Sequence, residues 1–379
     1  MTNSALWGTA VKHRMKPAVL VLQEQVPPYR VPFFRFLAEE LCDRGLDLHV
    51  VSSSMLPDAD GIGFRHQRIP MANHGLSALG TIFRERPTAL VLSHSARFAP
   101  VAAAARLQSR GRRQLFWGMG LARRYGAAAE GDPRPAAEGV RRLMLSVCDH
   151  YLSYTELSTA NLVERGYDAA RITTLNNAVE ALAAPEQAAA ARRVPLRALF
   201  VASLVEDKEP LAAVAIVDRL RQLAPGASLH IVGDGPLRPQ CEEAANRHEW
   251  VHYHGPKRGR DLRELALASD IAIIPGRVGL AVLEMASAGL PMTTFSVSRH
   301  GAEIAYLRDG INGVFLTGDI DAAAKELAIL LADRPALERM RNEALITASG
   351  HTVRKMAANF ADGVQASLSM RPSLSDSSP

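Results

Sequence analysis

Three absences narrow the possibilities before any motif is read. The 379 residues hold only three cysteines, Cys42, Cys148 and Cys241. They are odd in number and far apart, so they offer neither a disulfide framework nor a zinc-type ligand spacing. They read as buried thiols of a reducing compartment. No run reaches the roughly 18–20 apolar residues that a membrane-spanning helix needs. Residues 1–15 include Lys12, His13 and Arg14 but no apolar stretch of signal type. The expectation is a cytoplasmic chain, soluble or peripheral on the inner face of the plasma membrane. Finally, G-x-S-x-G, H-E-x-x-H and the P-loop are all missing, which removes the usual marks of serine hydrolases, zinc proteases and P-loop NTPases.

What is present is alternation. Apolar residues make up 47% of a chain too long for one ordinary core. Residues 18–24 (AVLVLQE) form a continuously apolar run, as a strand buried on both faces would. A Pro-rich turn and an amphipathic helix over about 31–42 follow. Strands are then expected at 46–52, 89–93, 114–118 and 150–154, with helical segments between them. The Ala-rich stretch 181–195, with two prolines, breaks the rhythm and reads as a connection. Strands resume at 197–202, 228–232, 250–253, 271–274, 292–295 and 313–316. Such alternation implies an α/β chain of parallel sheets covered by helices. The expected division is a tail at 1–15, a Rossmann-like domain at 16–180, a linker at 181–195, a second Rossmann-like domain at 196–350, a closing helix at 351–370 and a disordered tail at 371–379.

Charge is unevenly placed. The net formal charge is +5, yet residues 97–142 hold ten arginines against Glu130, Asp132 and Glu138. The rest of the chain is therefore slightly acidic. A basic patch attracts anionic lipid, phosphate or nucleic acid, although a solvated helical surface has the same composition. It lacks the aromatic interleaving of a nucleic-acid surface, so no nucleic acid is expected.

Ligands of doubly wound sheets bind where strands end and helices begin. The strand at 271–274 ends in Pro275-Gly276-Arg277-Val278-Gly279-Leu280, and a helix over 280–288 stops at Gly289-Leu290-Pro291. Gly276 and Gly279 allow a close ligand approach. The free N–H groups of Val278, Gly279 and Leu280 form an anion site. Glu284 has Leu280, Ala281, Ser287 and Ala288 as helical neighbours, a costly setting unless a ligand hydroxyl pair or a basic residue meets it. Lys208 sits near a helix start, where it opposes the helix dipole unless it faces a phosphate. IVGDGPL, with Gly233 and Gly235, is a tight strand-to-helix turn and no G-x-G-x-x-G. In the first half, Tyr29, Arg30, His94, Met119 and Arg123 follow strand ends and are the acceptor-side candidates. His94 has no evident partner in sequence, and a lone histidine is more often structural.

Taken in order, VPPYRVPFF, TLNNAVE, VASLVEDK, IVGDGPL, VHYHG, PGRVGLAVLEMASAGLP and SRHGAEIAYLRDGINGVFL resemble the family-4 retaining glycosyltransferases, which have the GT-B fold of two facing Rossmann-like domains. The resemblance covers nearly the whole chain and is weaker in the first domain. It implies that Lys208 holds the donor diphosphate and that Glu284, the second Glu of the E-x7-E motif, binds ribose hydroxyls. Val278, Gly279 and Leu280 would meet the phosphates and sugar through their backbone. The block containing Ser203, Gly233 and Gly235 would complete the donor site, and Asn177 lies in the piece that ends the first domain. Three positions depart from the pattern: Gly276 stands where the first Glu of E-x7-E falls, Ser203 replaces an Arg, and Met119 replaces the His of a WGHG piece.

The implied activity is transfer of a sugar, with retention of configuration, from a nucleotide-diphosphate sugar to a glycan or polyprenyl-diphosphate-linked acceptor in cell-surface polysaccharide synthesis. Lys208 and Glu284 are the catalytic candidates, and no cofactor and no metal are expected. A non-catalytic nucleotide-sugar-binding paralogue and a nucleotide-sugar epimerase on the same fold are the alternatives. Residues 97–142 would suit an anionic membrane surface.

Overall fold

Apolar runs become the central strands of two parallel sheets. The computed structural model describes residues 17–56, 62–70, 72–108, 111–121, 125, 135–182, 196–296 and 299–370. The expectations for 1–15 and 371–379, and for nearly all of 181–195, lie outside the described residues. The first sheet contains β1 (Ala18–Leu22), β2 (Asp47–Ser52), β3 (Arg65–Arg68), β4 (Ala89–Ser93), β5 (Arg113–Gly118), β6 (His150–Ser153) and β7 (Ile172–Thr174), in the order β3-β2-β1-β4-β5-β6-β7. The second contains β8 (Arg197–Val201), β9 (Ser228–Val232), β10 (Val251–Tyr253), β11 (Ile271–Ile273), β12 (Met292–Phe295) and β13 (Gly313–Leu316), in the order β10-β9-β8-β11-β12-β13. The sequence pattern misses β3 and β7. Both are edge strands, and their residues, RHQR and ITT, bury too little to show apolar periodicity.

In both sheets the order reverses beside the first strand, at β2-β1-β4 and at β9-β8-β11. Connections leave these strands in opposite directions and open a crevice at their carboxyl ends. The buried strands β1, β4, β8 and β11 therefore place the loops after them around one cleft.

The last helix, Val353–Ser369, does not stay with the second sheet. Thr352 caps it by accepting a 3.2 Å hydrogen bond from the Lys355 N–H. It crosses back and packs on the helix Val31–Asp43 of the first domain. Phe360 meets Phe33 and Trp117 at ring distances of 5.6 and 5.3 Å. Asn359 donates to the Leu175 carbonyl at 3.1 Å, and Asp362 pairs with Arg44 at 2.7 Å. Gly363 passes so close to β6 that a Cβ there would lie 2.5 Å from Leu152 Cδ2. Phe360→Ala removes the fully buried ring of this contact and is expected to destabilise the first domain by about 3–5 kcal/mol, measured as a lowered denaturant midpoint.

Candidate active site

The loop after β8 contains a short turn, Glu206–Lys208, followed by the helix Pro210–Leu223. Glu209 joins them at φ 55°, a left-handed conformation rare outside glycine. This turn rests on the loop after β11. Arg277 N–H donates to the Asp207 carbonyl at 2.6 Å, and Arg277 Nε pairs with the Asp207 carboxylate at 2.7 Å. Lys208 Nζ donates to the Arg277 carbonyl. A Cβ at Gly276 would lie 2.4 Å from the Asp207 carbonyl oxygen and 2.8 Å from the Lys208 carbonyl carbon. Gly276 is thus what lets the lysine turn settle against β11, and a glutamate cannot enter there without moving that turn.

Gly233 and Gly235 act in the same way on the other side of the loop. Their φ values are 150° and 153°, and added Cβ atoms would lie 1.9 Å from the Ala202 oxygen and 2.6 Å from the Leu204 oxygen. The Gly233 N–H is taken by the Gly255 carbonyl at 3.1 Å, and the Gly235 N–H by Asp234 Oδ1 at 2.9 Å. Their close packing explains them as turn residues. Ser203 is exposed at the mouth of this loop.

Beyond Gly279, a helix of six residues, Ala281–Ala286, carries Glu284. It is shorter than the sequence suggests because the chain turns at Ser287 and Gly289 takes a left-handed φ of 64°. Glu284 is half-buried, and no hydrogen bond or ion pair reaches its carboxylate among the described residues. Burial pushes its carboxyl above the ordinary range, against the pull of Arg258. Burial also pushes Lys208 down to about 8, and the Arg277 charge acts in the same direction. The expectation of three free N–H groups needs correcting: Val278 N–H donates to His300 Nδ1 at 3.2 Å. Gly279 and Leu280 keep N–H groups without an internal acceptor among the described residues.

The segment 300–306 was not singled out residue by residue in the sequence, yet it connects this site to the first domain. His300 is fully buried, accepts from Val278 through Nδ1 and donates from Nε2 to the Phe295 carbonyl at 3.0 Å. Burial holds its pKa below the ordinary histidine range. Its backbone pairs with Tyr125 through N–H···O bonds of 2.7 and 2.9 Å. Thr155 Oγ1 donates to the Ala302 carbonyl at 3.1 Å, and Tyr306 Oη to the Asn177 carbonyl at 3.0 Å. Glu303 accepts from the Asn177 side chain.

The acceptor-side candidates separate. Tyr29 is exposed at 44%. Arg30, expected to face the cleft, is instead buried among Tyr29, Phe33 and Trp117, its guanidinium 5.3–6.0 Å from their rings. His94 is structural: Nδ1 meets Tyr151 Oη at 2.8 Å and Nε2 the Arg141 carbonyl at 3.0 Å. Met119 is half-buried against the core, and its carbonyl accepts from Tyr125. Arg123 lies outside the described residues. The basic segment is less open than its composition implies. Arg97 pairs with Glu24, Arg106 and Arg113 with Asp149, and Arg142 with Glu138. Arg112 and Arg141 are buried and donate to carbonyls. The other four arginines lie outside the described residues. No described helix is long and apolar enough to cross a membrane, and no group of three potential metal-ligating side chains occurs among the described residues.

Two facing parallel sheets with loops converging on a common cleft define the GT-B class. Residues 195–333, most of the second domain, match the family model described as glycosyl transferases group 1. Glycogen synthase of Mycobacterium tuberculosis (strain ATCC 25618 / H37Rv) is 28% identical over 176 residues, 45% of this chain and 42% of the relative. The match thus spans less than half of that curated relative. Anabaena Alr3699/HepE in complex with UDP and glucose superposes on 92% of this chain and 99% of its own, with a TM-score of 0.67 at 14% identity. The pneumococcal O-GlcNAc transferase GtfA in complex with UDP and GlcNAc covers 94% of this chain and 100% of its own, with a TM-score of 0.70 at 11% identity.

Because Gly276 has no room for a side chain, Gly276→Glu is expected to destabilise the second domain by about 1–3 kcal/mol. A thermal midpoint equal to that of the unmodified chain would show that the lysine turn yields freely.

Proposed function

We propose that this chain is a retaining glycosyltransferase of the family-4 type, which moves a sugar from a nucleotide-diphosphate sugar to a glycan or polyprenyl-diphosphate-linked acceptor. The observation that carries this reading is the presence of two unsatisfied polarities after the neighbouring strands β8 and β11. Lys208 is a half-buried cation whose ammonium donates to a carbonyl and to no carboxylate among the described residues, and Gly279 and Leu280 have N–H groups without an acceptor among the described residues. Glu284 is a half-buried carboxylate with no donor among the described residues. A nucleoside diphosphate supplies what both lack. Its phosphates take the lysine and the N–H groups, and its ribose hydroxyls take Glu284.

In the reaction, the bond from the anomeric carbon to the diphosphate breaks and negative charge grows on the leaving phosphate. Lys208 and the two N–H groups stabilise that charge. The acceptor hydroxyl attacks from the face the phosphate leaves and gives its proton to a phosphate oxygen. Configuration is retained with no side-chain nucleophile. Domain closure keeps water from the same carbon. Cell-surface polysaccharide synthesis is the setting this reading suggests.

Lys208→Ala and Glu284→Ala are each expected to lower donor turnover by about 100-fold or more. The assay presents UDP-, GDP- and dTDP-sugars with lipid-linked acceptors and follows nucleotide release and product mass. Consumption of the donor without an acceptor would instead favour an epimerase, and nucleotide binding with no product a non-catalytic relative. Unchanged turnover in both variants would reject the assignment.

A pH dependence follows from Lys208. Its diphosphate-binding form is the cation, which exists below about 8 and is lost as the pH rises through that value. Bound diphosphate favours the cation, so the loss belongs to the free enzyme and appears in kcat/KM. The expected profile falls about tenfold per pH unit on the alkaline side. Lys208→Arg, charged throughout, is expected to flatten that limb.

A further inference from the structure

Two opposite charges are buried on either side of the domain boundary, and neither has an ionic partner among the described residues. Arg30, at the end of the loop after β1, is 7% exposed. Glu303, between β12 and β13 in the second domain, is 6% exposed. A single buried Arg or Glu is costly unless its charge is compensated. Both charges meet the side chain of Asn177, 1% exposed, which follows the left-handed Asn176 at φ 57°; Arg30 also has the Ala178 carbonyl, the Met356 sulfur and the rings around it. Asn177 Oδ1 accepts from Arg30 Nη2 at 2.5 Å, and Asn177 Nδ2 donates to Glu303 Oε1. Only this orientation of the amide satisfies both charges, because its oxygen must face the cation and its NH2 the anion. Asn177 cannot easily turn away: its own N–H donates to the Tyr154 carbonyl at 2.8 Å, and its carbonyl accepts from Tyr306 at 3.0 Å.

The far end of this chain of contacts reaches the donor side. Glu303 Oε2 lies beside the loop after β11: a Cβ at Gly279 would lie 3.9 Å from it, and one at Gly301, in Glu303's own segment, 2.7 Å. Gly301 N–H in turn donates to the Val278 carbonyl at 2.7 Å. The first domain thus reaches the turn 278–280 through Arg30, Asn177 and Glu303.

We propose that Asn177 is a positioning residue that transmits the charge of Arg30 across the domain boundary and fixes Glu303 beside the turn 278–280, so that closing the domains adds to the bonds that hold the turn. Opening the cleft separates Asn177 from Glu303, since they belong to different domains. Glu303 then loses the Asn177 donor, and Arg30 keeps Asn177 but is cut off from the negative charge beyond it, which favours the closed arrangement. The catalytic consequence rests on the function proposed above, whereas the closure itself does not.

The test is a charge rearrangement read in two ways. Asn177→Asp gives Arg30 a direct partner but sets two carboxylates against each other across the boundary. It is expected to open the molecule, raising the radius of gyration in small-angle scattering without ligand, and to lower kcat/KM by about tenfold or more. Adding Glu303→Gln restores a donor toward the new carboxylate at position 177, so the double variant is expected to recover the compact radius and most of the kcat/KM. Glu303→Gln alone is expected to stay compact, because Asn177 can still donate to its amide oxygen. If Asn177→Asp does not fold, Glu303→Ala, which leaves Arg30 and Asn177 joined, is expected to open the molecule in the same way. A compact Asn177→Asp, or a double variant no more compact than the single, overturns the proposal. If no donor is turned over at all, the scattering series still decides the closure, and only the function proposed above fails.

Discussion

No atom beyond Cα fits between Gly276 and the backbone of residues 207–208, and the rest of the cleft is arranged around that contact. It brings the carboxyl ends of β8 and β11 together, so that Lys208 reaches the Arg277 carbonyl and Asp207 binds Arg277 through both backbone and side chain. Gly233 and Gly235 press the loop after β9 onto residues 202–204 in the same manner. Three loops are thereby stacked backbone to backbone. The strained conformation of Glu209, next to the lysine, persists because the stack over-determines it. A rigid frame of this kind suits a site that must meet charge without rearranging.

The charges inside that frame differ in kind from those elsewhere. Asp270 is buried with Arg341 at 3.2 Å and Arg334 at 3.4 Å, an ion pair with a structural purpose. Asp149 likewise takes Arg106 at 2.9 Å. Around the cleft, by contrast, Lys208 has a carbonyl, Arg30 and Glu303 share an amide, and Glu284 has no partner among the described residues. Buried groups left half satisfied cost stability unless something else completes them.

Much of this was legible in the sequence where the signal was local. The apolar runs of β1, β4 and β11 marked themselves, and Glu284 stood out against its helical neighbours. Lys208 stood out for opposing a helix start. The unread features depend on distant partners. Gly276 looked like a missing acid, but its identity is fixed sterically by residues some 70 positions earlier. Arg30 looked cleft-facing because the cage around it, Trp117 and Met356 included, is assembled from far along the chain. Likewise, the arginine count of 97–142 could not reveal that Glu24 and Asp149 neutralise part of it. Glu303, set between Ala302 and Ile304, did carry a usable signal: it is a carboxylate in an apolar segment, the same argument that singled out Glu284.

The chain passes between the domains twice, outward near residue 182 and back at the helix Val353–Ser369. Motion of one domain on the other is therefore constrained at one side of the cleft and must be greatest at the other. The segment 300–306 lies across that motion. It bonds to the first domain through His300, Ala302, Glu303 and Tyr306, and it holds the turn 278–280 through the His300 ring and the Gly301 N–H. Any opening that breaks the first set of bonds pulls on the residues that make the second. The physical link between domain closure and the geometry of the turn is therefore short, passing through a few covalently joined residues and requiring no long path of side-chain contacts.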